Sequence, residues 1–523
     1  MNRCAALLGA LALVACADPV RTVGPELLNQ TASNVDGETR YVVVFHQQDG
    51  LPSKLADMLA DAGGTLASAA PEIGAIQVLS SDPNFSARMA KNPQVSDVGI
   101  DADVQLIPSG EDPSSSSALL EAILAAEGSG GPAEPAGPDP QPGTEPLYNQ
   151  QWDKMRINAS NSGSYNVQRG RKEVVVGILD TGAEVLPVAH PDIAPNLDFA
   201  RSRSFVFPAP PGGDPNPARW DDRNGHGSWC ASAVAAPINK FGISGVAPNV
   251  TLVALKVLND GGSGSFFGVA QALVYAGVNK FDVASMSLGA YVPHSGGGQT
   301  IIKVVQRAIN FARSNGVTPL GALGNDNFDI SDGSFVRDFI FIPAELPGVI
   351  GVSSTAYDNR KAFYSNYGVG KTDVSAPGGG STTFNPMPPN YFGFGRVLGA
   401  WATESIGTFR PVLRREQCTP GPGGACSYYA WVRGTSMATP NAAGVAALII
   451  SQYGDFTPDN SRKGHMSPQR VESILQETAN NQPCVDNDFP DIFNLDAQCS
   501  GGAGGYTSFF GKGIVDALKA VTQ

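Results

Sequence analysis

An apolar run at residues 173–179, EVVVGIL, is the feature that most constrains the fold, and it ends on Asp180. Such a run is typical of a strand that is buried on both faces, as strands are in parallel sheets covered by helices. Open α/β sheets gather ligands and reacting groups at the carboxyl ends of their strands. The run therefore predicts an α/β fold with a mostly parallel central sheet and Asp180 at its functional edge. A plain turn aspartate is the alternative.

A second segment predicts a buried helix that begins beside a serine. Residues 441–450 are small or apolar, which favours a helix packed closely on a sheet. Ser436 lies at the amino end of this helix, and Pro440 falls early enough to cost little hydrogen bonding. Backbone N–H groups and the helix dipole would stabilise an oxyanion beside Ser436.

Three short segments follow one another along the chain: DTG at 180–182, NGHGS at 224–228 and GTSMATP at 434–440. The order Asp180, His226, Ser436 is one in which hydrolases present a Ser–His–Asp triad. In such a triad the serine attacks a carbonyl carbon, the imidazole transfers the proton, and the carboxylate orients the imidazole. The order predicts a serine hydrolase.

All three segments match the motif positions of subtilisin-like serine proteases, so the chain resembles the subtilase family from about residue 147 to its C-terminus. The resemblance implies a three-layer subtilisin-like fold with Ser436 as nucleophile, His226 as general base and Asp180 as the orienting group. Residues 321–326, GALGND, resemble the family's oxyanion segment. This implies that the Asn325 amide lies opposite the Ser436 N–H.

Two further segments resemble the family's substrate cleft. Each follows an apolar strand, and together they contain Ser287, Leu288, Gly289, Gly262 and Gly264. Exposed backbone at these positions would pair with an extended peptide as an added strand. Because such pairing uses main-chain hydrogen bonds, which do not depend on side-chain identity, we expect a broad range of protein and peptide substrates. A flexible turn is the alternative for the glycine run.

The first residues predict export. A short basic start precedes an apolar run at 5–15 that is too short to span a bilayer. Residues 13–16, LVAC, resemble a bacterial lipoprotein cleavage box, so we expect residues 1–16 to be a lipoprotein signal, Cys16 to carry lipid and 17–39 to be a tether. Plain secretion is the alternative. The expected location is the exterior or the bacterial cell envelope, with membrane contact only through the lipid.

Residues 40–107 read as a separate α+β module, an open-faced sandwich. Strands are predicted at 41–45, 73–79 and 95–100, and helices at 52–62 and 84–90. The module resembles the inhibitory propeptide of subtilases, which implies an intramolecular inhibitor whose tail, near 104–107, lies in the cleft until it is cut.

Residues 108–146 are rich in Pro, Gly and Ser and cannot bury a core, which predicts a linker before a catalytic domain at 147–523. Self-cleavage is expected between residues 107 and 147. The net charge of -13, with no basic stripe, argues against nucleic acid as a partner. We expect a monomer.

Seven cysteines divide into two in the export segment and five beyond it. Pairing each of these cysteines with its nearest neighbour in sequence joins Cys418 with Cys426 and Cys484 with Cys499. Both pairs lie in loops that a disulfide could stabilise. Spacing alone establishes neither bond. Cys230 then remains, one helical turn after His226. Proteinase K-like and kexin-like subtilases also carry a cysteine at this motif position, and we expect a buried thiol; a catalytic thiol is the alternative.

The predicted chemistry requires no cofactor, and no His-Glu-x-x-His metal motif occurs. Calcium is common among subtilases, and carboxylates in one loop could supply oxygen ligands: Asp486, Asp488, Asp491 and Asp496. A solvated acidic loop is the alternative, because no calcium motif can be matched residue by residue.

Two functions from different classes fit these observations. The first is an exported serine endopeptidase that works through an acyl-enzyme and matures by cutting off its propeptide. The second is a protein of the same fold that mainly binds peptides or transfers acyl groups to amines, which would require a cleft that excludes water from the acyl-enzyme.

Overall fold

The computed structural model describes nine stretches of the chain: residues 37–106, 145–206, 219–333, 335–381, 395–405, 413–418, 426–456, 464–486 and 497–523. The predicted signal with Cys16, nearly all of the tether, and residues 107–144 lie outside them. Within the described stretches, no helix is both long and apolar enough to cross a membrane.

Residues 37–106 form a four-stranded antiparallel sheet with the order β2-β3-β1-β4, joined by two helices. The strands are β1 Thr39–Phe45, β2 Thr65–Ala70, β3 Ala75–Ser80 and β4 Val95–Ile100. The helices are α1 Leu55–Ala62 and α2 Phe85–Met89. A further strand, β5 Asp103–Leu106, follows β4 but pairs elsewhere.

Strand β1 is buried on both faces because it lies between two cores. Tyr41, Val43 and Phe45 belong to a hydrophobic cluster with α1 and α2. Val42 and Val44 point the other way and join the core of the main domain. The N-terminal unit is therefore packed against the rest of the protein through one face of its sheet.

The central sheet has seven strands in the order β15-β14-β12-β10-β6-β8-β7, and all of its neighbours are parallel. Its strands are β6 Val175–Asp180, β7 Arg203–Ser204, β8 Thr251–Lys256, β10 Val283–Met286, β12 Thr318–Ala322, β14 Ile350–Thr355 and β15 Val374–Pro377. Later strands lie on both sides of β6, so β6 borders the point where the strand order reverses, which is where open α/β sheets place their sites.

Helices cover both faces of this sheet. Val176 and Ile178 of β6 join one apolar core and Val175 and Leu179 join the other. The helices are α3 Trp152–Arg156, α4 His226–Ala235, α5 Phe266–Val278, α6 Gly298–Ser314, α7 Phe335–Asp338, α8 Thr435–Tyr453, α9 Pro468–Glu477 and α10 Ala517–Val521. Helices α4 and α8 lie in the first core, and α5 and α6 in the second. The predicted three-layer α/β fold is confirmed.

Two smaller sheets complete the domain. One has the order β13-β11-β5-β9, with β9 Ser263–Ser265, β11 Leu288–Pro293 and β13 Phe339–Ile342. The other is antiparallel, with the order β16-β18-β17, where β16 is Val397–Trp401, β17 Leu413–Cys418 and β18 Cys426–Val432.

Several predicted boundaries in the N-terminal module were wrong. A 3₁₀ turn at Pro71–Ile73 and Gly74 precede β3, so that strand begins at Ala75. Both helices begin later than predicted, at Leu55 and Phe85. Strand β2 was missed because its residues, TLASAA, have little β propensity and it is held by pairing with β3. The other two predicted strands are confirmed as β1 and β4.

The predicted cysteine pairs differ in how far the structure describes them. Cys484 and Cys499 form a disulfide. Cys418 and Cys426 are register partners across β17 and β18, which is compatible with the predicted bond.

A buried ion pair ties the start of the catalytic region to helix α8. Lys154 and Asp153 are both fully buried, and Lys154 Nζ lies 2.7 Å from Asp153 Oδ2. The same ammonium donates to Asn441 Oδ1 at 2.7 Å. Asn441 lies in α8, and its amide donates to the Pro377 carbonyl at the end of β15.

We expect Lys154→Met to lower the free energy of unfolding by roughly 3–5 kcal/mol, because it leaves the Asp153 carboxylate buried without its cation. Urea unfolding with a variant that cannot cut itself would measure this loss. The control is Arg156→Met in the same helix, where an exposed guanidinium stacks on Tyr357 at 4.5 Å; we expect a loss under about 1 kcal/mol. Equal losses for the two variants would contradict the prediction.

Candidate active site

Asp180 and His226 form a buried hydrogen-bonded pair. Asp180 is the last residue of β6 and His226 the first of α4. His226 Nδ1 lies 2.8 and 3.0 Å from the two carboxylate oxygens of Asp180. The Thr181 N–H also donates to this carboxylate, at 2.7 Å. With a proton on Nδ1, the imidazole presents Nε2 as an acceptor, which is the state that a general base needs.

Asp222, which none of the sequence motifs includes, caps the helix that carries His226. Its carboxylate accepts bonds from three N–H groups at the start of α4 and from two hydroxyls, at 2.7–2.9 Å. The donors are Asn224, Gly225 and Ser228 through their N–H groups and Thr181 and Ser228 through their hydroxyls. This cap links the residue after Asp180 to the His226 helix. In the sequence, an Asp four residues before the His and two before Asn-Gly is the pattern that could have indicated this cap.

Ser436 lies in the first turn of α8 and is 1 % exposed. Its hydroxyl donates to the Ser287 carbonyl at 3.3 Å, and the Ser287 hydroxyl donates to the Ser436 carbonyl at 2.8 Å. This reciprocal pair joins the nucleophile candidate to the residue between β10 and β11. The cleft strand and the serine are thereby held together.

Asn325 and the Ser436 N–H face the same small space. Asn325 Oδ1 accepts from the Thr435 N–H and hydroxyl, both at 2.9 Å. A β-carbon at Gly434 would lie 3.1 Å from Asn325 Nδ2 and 3.6 Å from the Ser436 nitrogen. Gly434 has φ 156° and ψ 161°, a conformation essentially limited to glycine. Both nitrogens therefore border the space that a side chain at 434 would fill, which is where an oxyanion hole needs its donors.

We expect Asn325→Leu to lower kcat by about 10²–10³-fold with little change in KM, the range found for such an Asn in a subtilisin. The reason is that one of the two converging donors is lost while its volume is kept. Steady-state kinetics on a chromogenic peptide would test this. Asn310→Ala, on an exposed position of α6, is the control. An unchanged kcat for Asn325→Leu would contradict the role.

Strand β5 lies in the predicted substrate cleft between β9 and β11. Leu288 and Gly289 of β11 pair antiparallel with Leu106 and Gln105, and Gly264 pairs with Val104. On the same side the Leu106 N–H donates to the Gly262 carbonyl at 2.8 Å. Along β5 the register on β11 moves from Gly289 to Leu288 and so toward Ser287, which bonds Ser436. All five predicted cleft residues therefore contact this strand or lie beside its end.

Cys230 lies beneath the catalytic candidates. Its sulfur is 3.8 Å from His226 Nδ1 and 3.7 Å from the Ser436 carbonyl oxygen. Burial, followed by the negative charge of Asp180, raises the pKa of the Cys230 thiol well above its ordinary value. Cys230 is thus held as a neutral thiol, which does not favour a nucleophilic role.

The cluster Asp180, His226 and Cys230 is the only one in the described stretches in which three potential metal-ligating side chains lie within 4.8 Å of one another. Its imidazole is already bonded to the carboxylate. Of the aspartates predicted as candidate calcium ligands, only Asp486 is described, and its carboxylate accepts from the Cys499 N–H at 2.6 Å. Asp488, Asp491 and Asp496 lie outside the described residues, so calcium stays a prediction.

Residues 171–497 match the sequence profile of the Subtilase family. The chain is 34 % identical over 298 residues to "Alkaline protease" of Alkalihalobacillus alcalophilus, covering 57 % of this chain and 59 % of that protein. It is also 34 % identical over 298 residues to "Subtilisin Savinase" of Lederbergia lenta, covering 57 % of this chain and 83 % of that one. The matched region thus covers less than two thirds of the length of the first of these relatives.

Solved structures share the fold at low identity. The epidermin leader peptide processing serine protease EpiP of Staphylococcus aureus superimposes with a TM-score of 0.66 at 19 % identity, covering 92 % of this chain and 98 % of that one. Fervidolysin of Fervidobacterium pennivorans gives a TM-score of 0.62 at 19 % identity, covering 93 % of this chain and 61 % of that one. At such low sequence identity, these similarities show a shared fold only.

Proposed function

Because this chain belongs to the subtilase family, we propose that it is an exported serine endopeptidase that hydrolyses peptide bonds in proteins. The observation that carries the proposal is the hydrogen-bonded Asp180–His226 pair. Ser436 lies near it, because the Cys230 sulfur is 3.8 Å from His226 Nδ1 and 3.7 Å from the Ser436 carbonyl oxygen. Asp180 ends β6 at the carboxyl edge of the sheet and Ser436 lies at the start of α8, which supports the roles proposed for them. Export itself rests on the N-terminal sequence.

The proposed reaction begins when an extended peptide pairs with β9 and β11. Ser436 Oγ attacks the peptide carbonyl carbon while His226 Nε2 takes the hydroxyl proton. Asn325 Nδ2 and the Ser436 N–H stabilise the oxyanion, and Asp180 stabilises the imidazolium. The imidazolium gives its proton to the leaving amine as the peptide C–N bond breaks, which leaves an acyl-enzyme. Water, activated by His226, then attacks that ester and releases the acid and Ser436.

We further propose that residues 40–107 act as an inhibitory propeptide. The support is that β5 occupies the cleft in which substrate would pair. Arg307 of α6 holds the sheet of this unit by donating to the carbonyls of Phe45 and Ile73, at 2.8 and 3.1 Å. Gln271 of α5 donates to the Ala69 carbonyl at 3.1 Å. Hydrolysis between residues 107 and 147 would free the cleft once the unit dissociates.

Intact-protein mass spectrometry of the exported chain beside its Ser436→Ala form, with casein digestion in parallel, tests this function. We expect the wild type alone to lose the mass of the 40–107 module and to cut casein into fragments with free carboxylates. The mature N-terminus would follow from the mass. Equal masses with intact casein would overturn the proposal, and cyclic or extended products would indicate acyl transfer instead.

A further inference from the structure

A segment at the end of β16 lies directly against the loop that precedes His226. The Trp401 ring is fully buried, and a β-carbon at Gly225 would lie 2.3 Å from it. The Ser405 hydroxyl donates to the Asn224 carbonyl at 2.7 Å. Gly225 has φ 107°, so this loop needs a glycine both for its backbone and for the ring beside it. Residues 401–405, called here the strap, thus contact both residues that precede His226.

Glu184 fastens the strap to the catalytic loops. This side chain lies four residues after Asp180 and is 1 % exposed. Its Oε1 accepts from the Thr403 N–H at 2.6 Å. Its own N–H donates to the Ser228 hydroxyl, inside α4, at 2.9 Å. One residue therefore connects the Asp180 loop, the His226 helix and the strap.

Helix α4 forms further hydrogen bonds with strands β16 and β18. The Ala400 N–H donates to the Ser232 hydroxyl at 3.0 Å, and the Trp229 ring N–H donates to the Ala430 carbonyl of β18 at 3.2 Å. The helix that begins with His226 is therefore bonded to the β16–β18 sheet at several points. Within this contact between helix α4 and the β16–β18 sheet, the strap is the part that touches the residues just before His226.

We propose that Glu184 is a positioning residue for the reaction, because it holds the strap on the loop that sets the place of the His226 ring. Glu184 touches none of the three reacting side chains in the described contacts, so its effect would pass through Thr403 and the strap. A displacement of about 1 Å at a catalytic group can cost about 10²-fold in rate. The inference rests on the proposed peptidase function.

The test compares Glu184→Ala and Glu184→Gln in the mature enzyme on a short chromogenic peptide. Burial raises the pKa of Glu184 to about 7, so the neutral amide is a close substitute that still accepts the Thr403 N–H. We expect Glu184→Ala to lower kcat about 10–100-fold with KM within about twofold. We expect Glu184→Gln to stay within about threefold of the wild type.

Two further variants keep the proposal falsifiable. If Glu184→Ala does not fold, Ser405→Ala removes the bond from strap to loop, and we expect a kcat loss of about 3–10-fold. Glu472→Ala is the control: burial also raises the pKa of this glutamate, but it lies in α9, and we expect no change in kcat.

Three outcomes would overturn the positioning role: equal losses for the Ala and Gln variants, an effect on KM alone, or an unchanged kcat in Ser405→Ala. An inactive wild type would instead overturn the peptidase function itself. The wild-type rate is therefore measured first, and the two failures are distinguishable.

Discussion

Replacing Ser436 with alanine is expected to lower kcat by about six orders of magnitude, the size found when a subtilisin loses its nucleophile. Without the hydroxyl no acyl-enzyme forms, and the imidazole has no proton to take. The start of α8 is otherwise unchanged, because the Ser287 hydroxyl still donates to the carbonyl of residue 436. Peptide hydrolysis with burst-phase analysis measures the loss.

The same variant is expected to keep its N-terminal unit when it is produced in a host without other proteases, because removal of that unit is proposed to occur in cis. Ser451→Ala is the matched control, since it lies in the same helix. Its hydroxyl donates to the Ala447 carbonyl and accepts from the Arg171 N–H, and neither residue belongs to the proposed triad. We expect this control to mature and to cleave casein normally. A Ser436→Ala protein that still matures in such a host would contradict self-processing.

Asp180→Asn is expected to lower kcat by about 10⁴-fold while KM and folding change little. The carboxylate holds the proton on His226 Nδ1, at 2.8 and 3.0 Å from its two oxygens. An amide can offer its NH₂ group to Nδ1 instead, which leaves the proton on Nε2, the nitrogen that must accept the Ser436 proton. The ring then holds the wrong tautomer for a general base.

Kinetics of this variant should be compared with those of Asp198→Asn. Asp198 caps a turn by accepting from the N–H groups of Ala200 and Arg201, and none of the described contacts of its carboxylate involves the triad. We expect its replacement to change kcat by less than about twofold. A loss below tenfold for Asp180→Asn would show that the bond to His226 contributes little to turnover.

Residues whose role depends on local backbone were predictable from the sequence. Asp180 ends an apolar strand, Ser436 lies in the first turn of a helix of small residues, and Gly289 comes soon after the buried strand β10; the structure has each of these local features. Local propensity and periodicity are readable over a few residues because neighbours in sequence decide them. The same reasoning failed for β2, whose alanine-rich residues gain a partner only after the chain folds.

Sequence alone determined the order of the motifs, the class of the sheet and the identities of Asp180, His226, Ser436 and Asn325 as candidates. The contacts that hold these four side chains in place follow only from how the whole domain packs. Glu184 meets Thr403 across 219 positions, and Lys154 meets Asn441 across 287. Neither pair leaves a local pattern, because a hydrogen bond between distant segments requires only that both groups be buried together. Packing of the whole domain decides which buried polar groups meet, and so it decides how the site is supported.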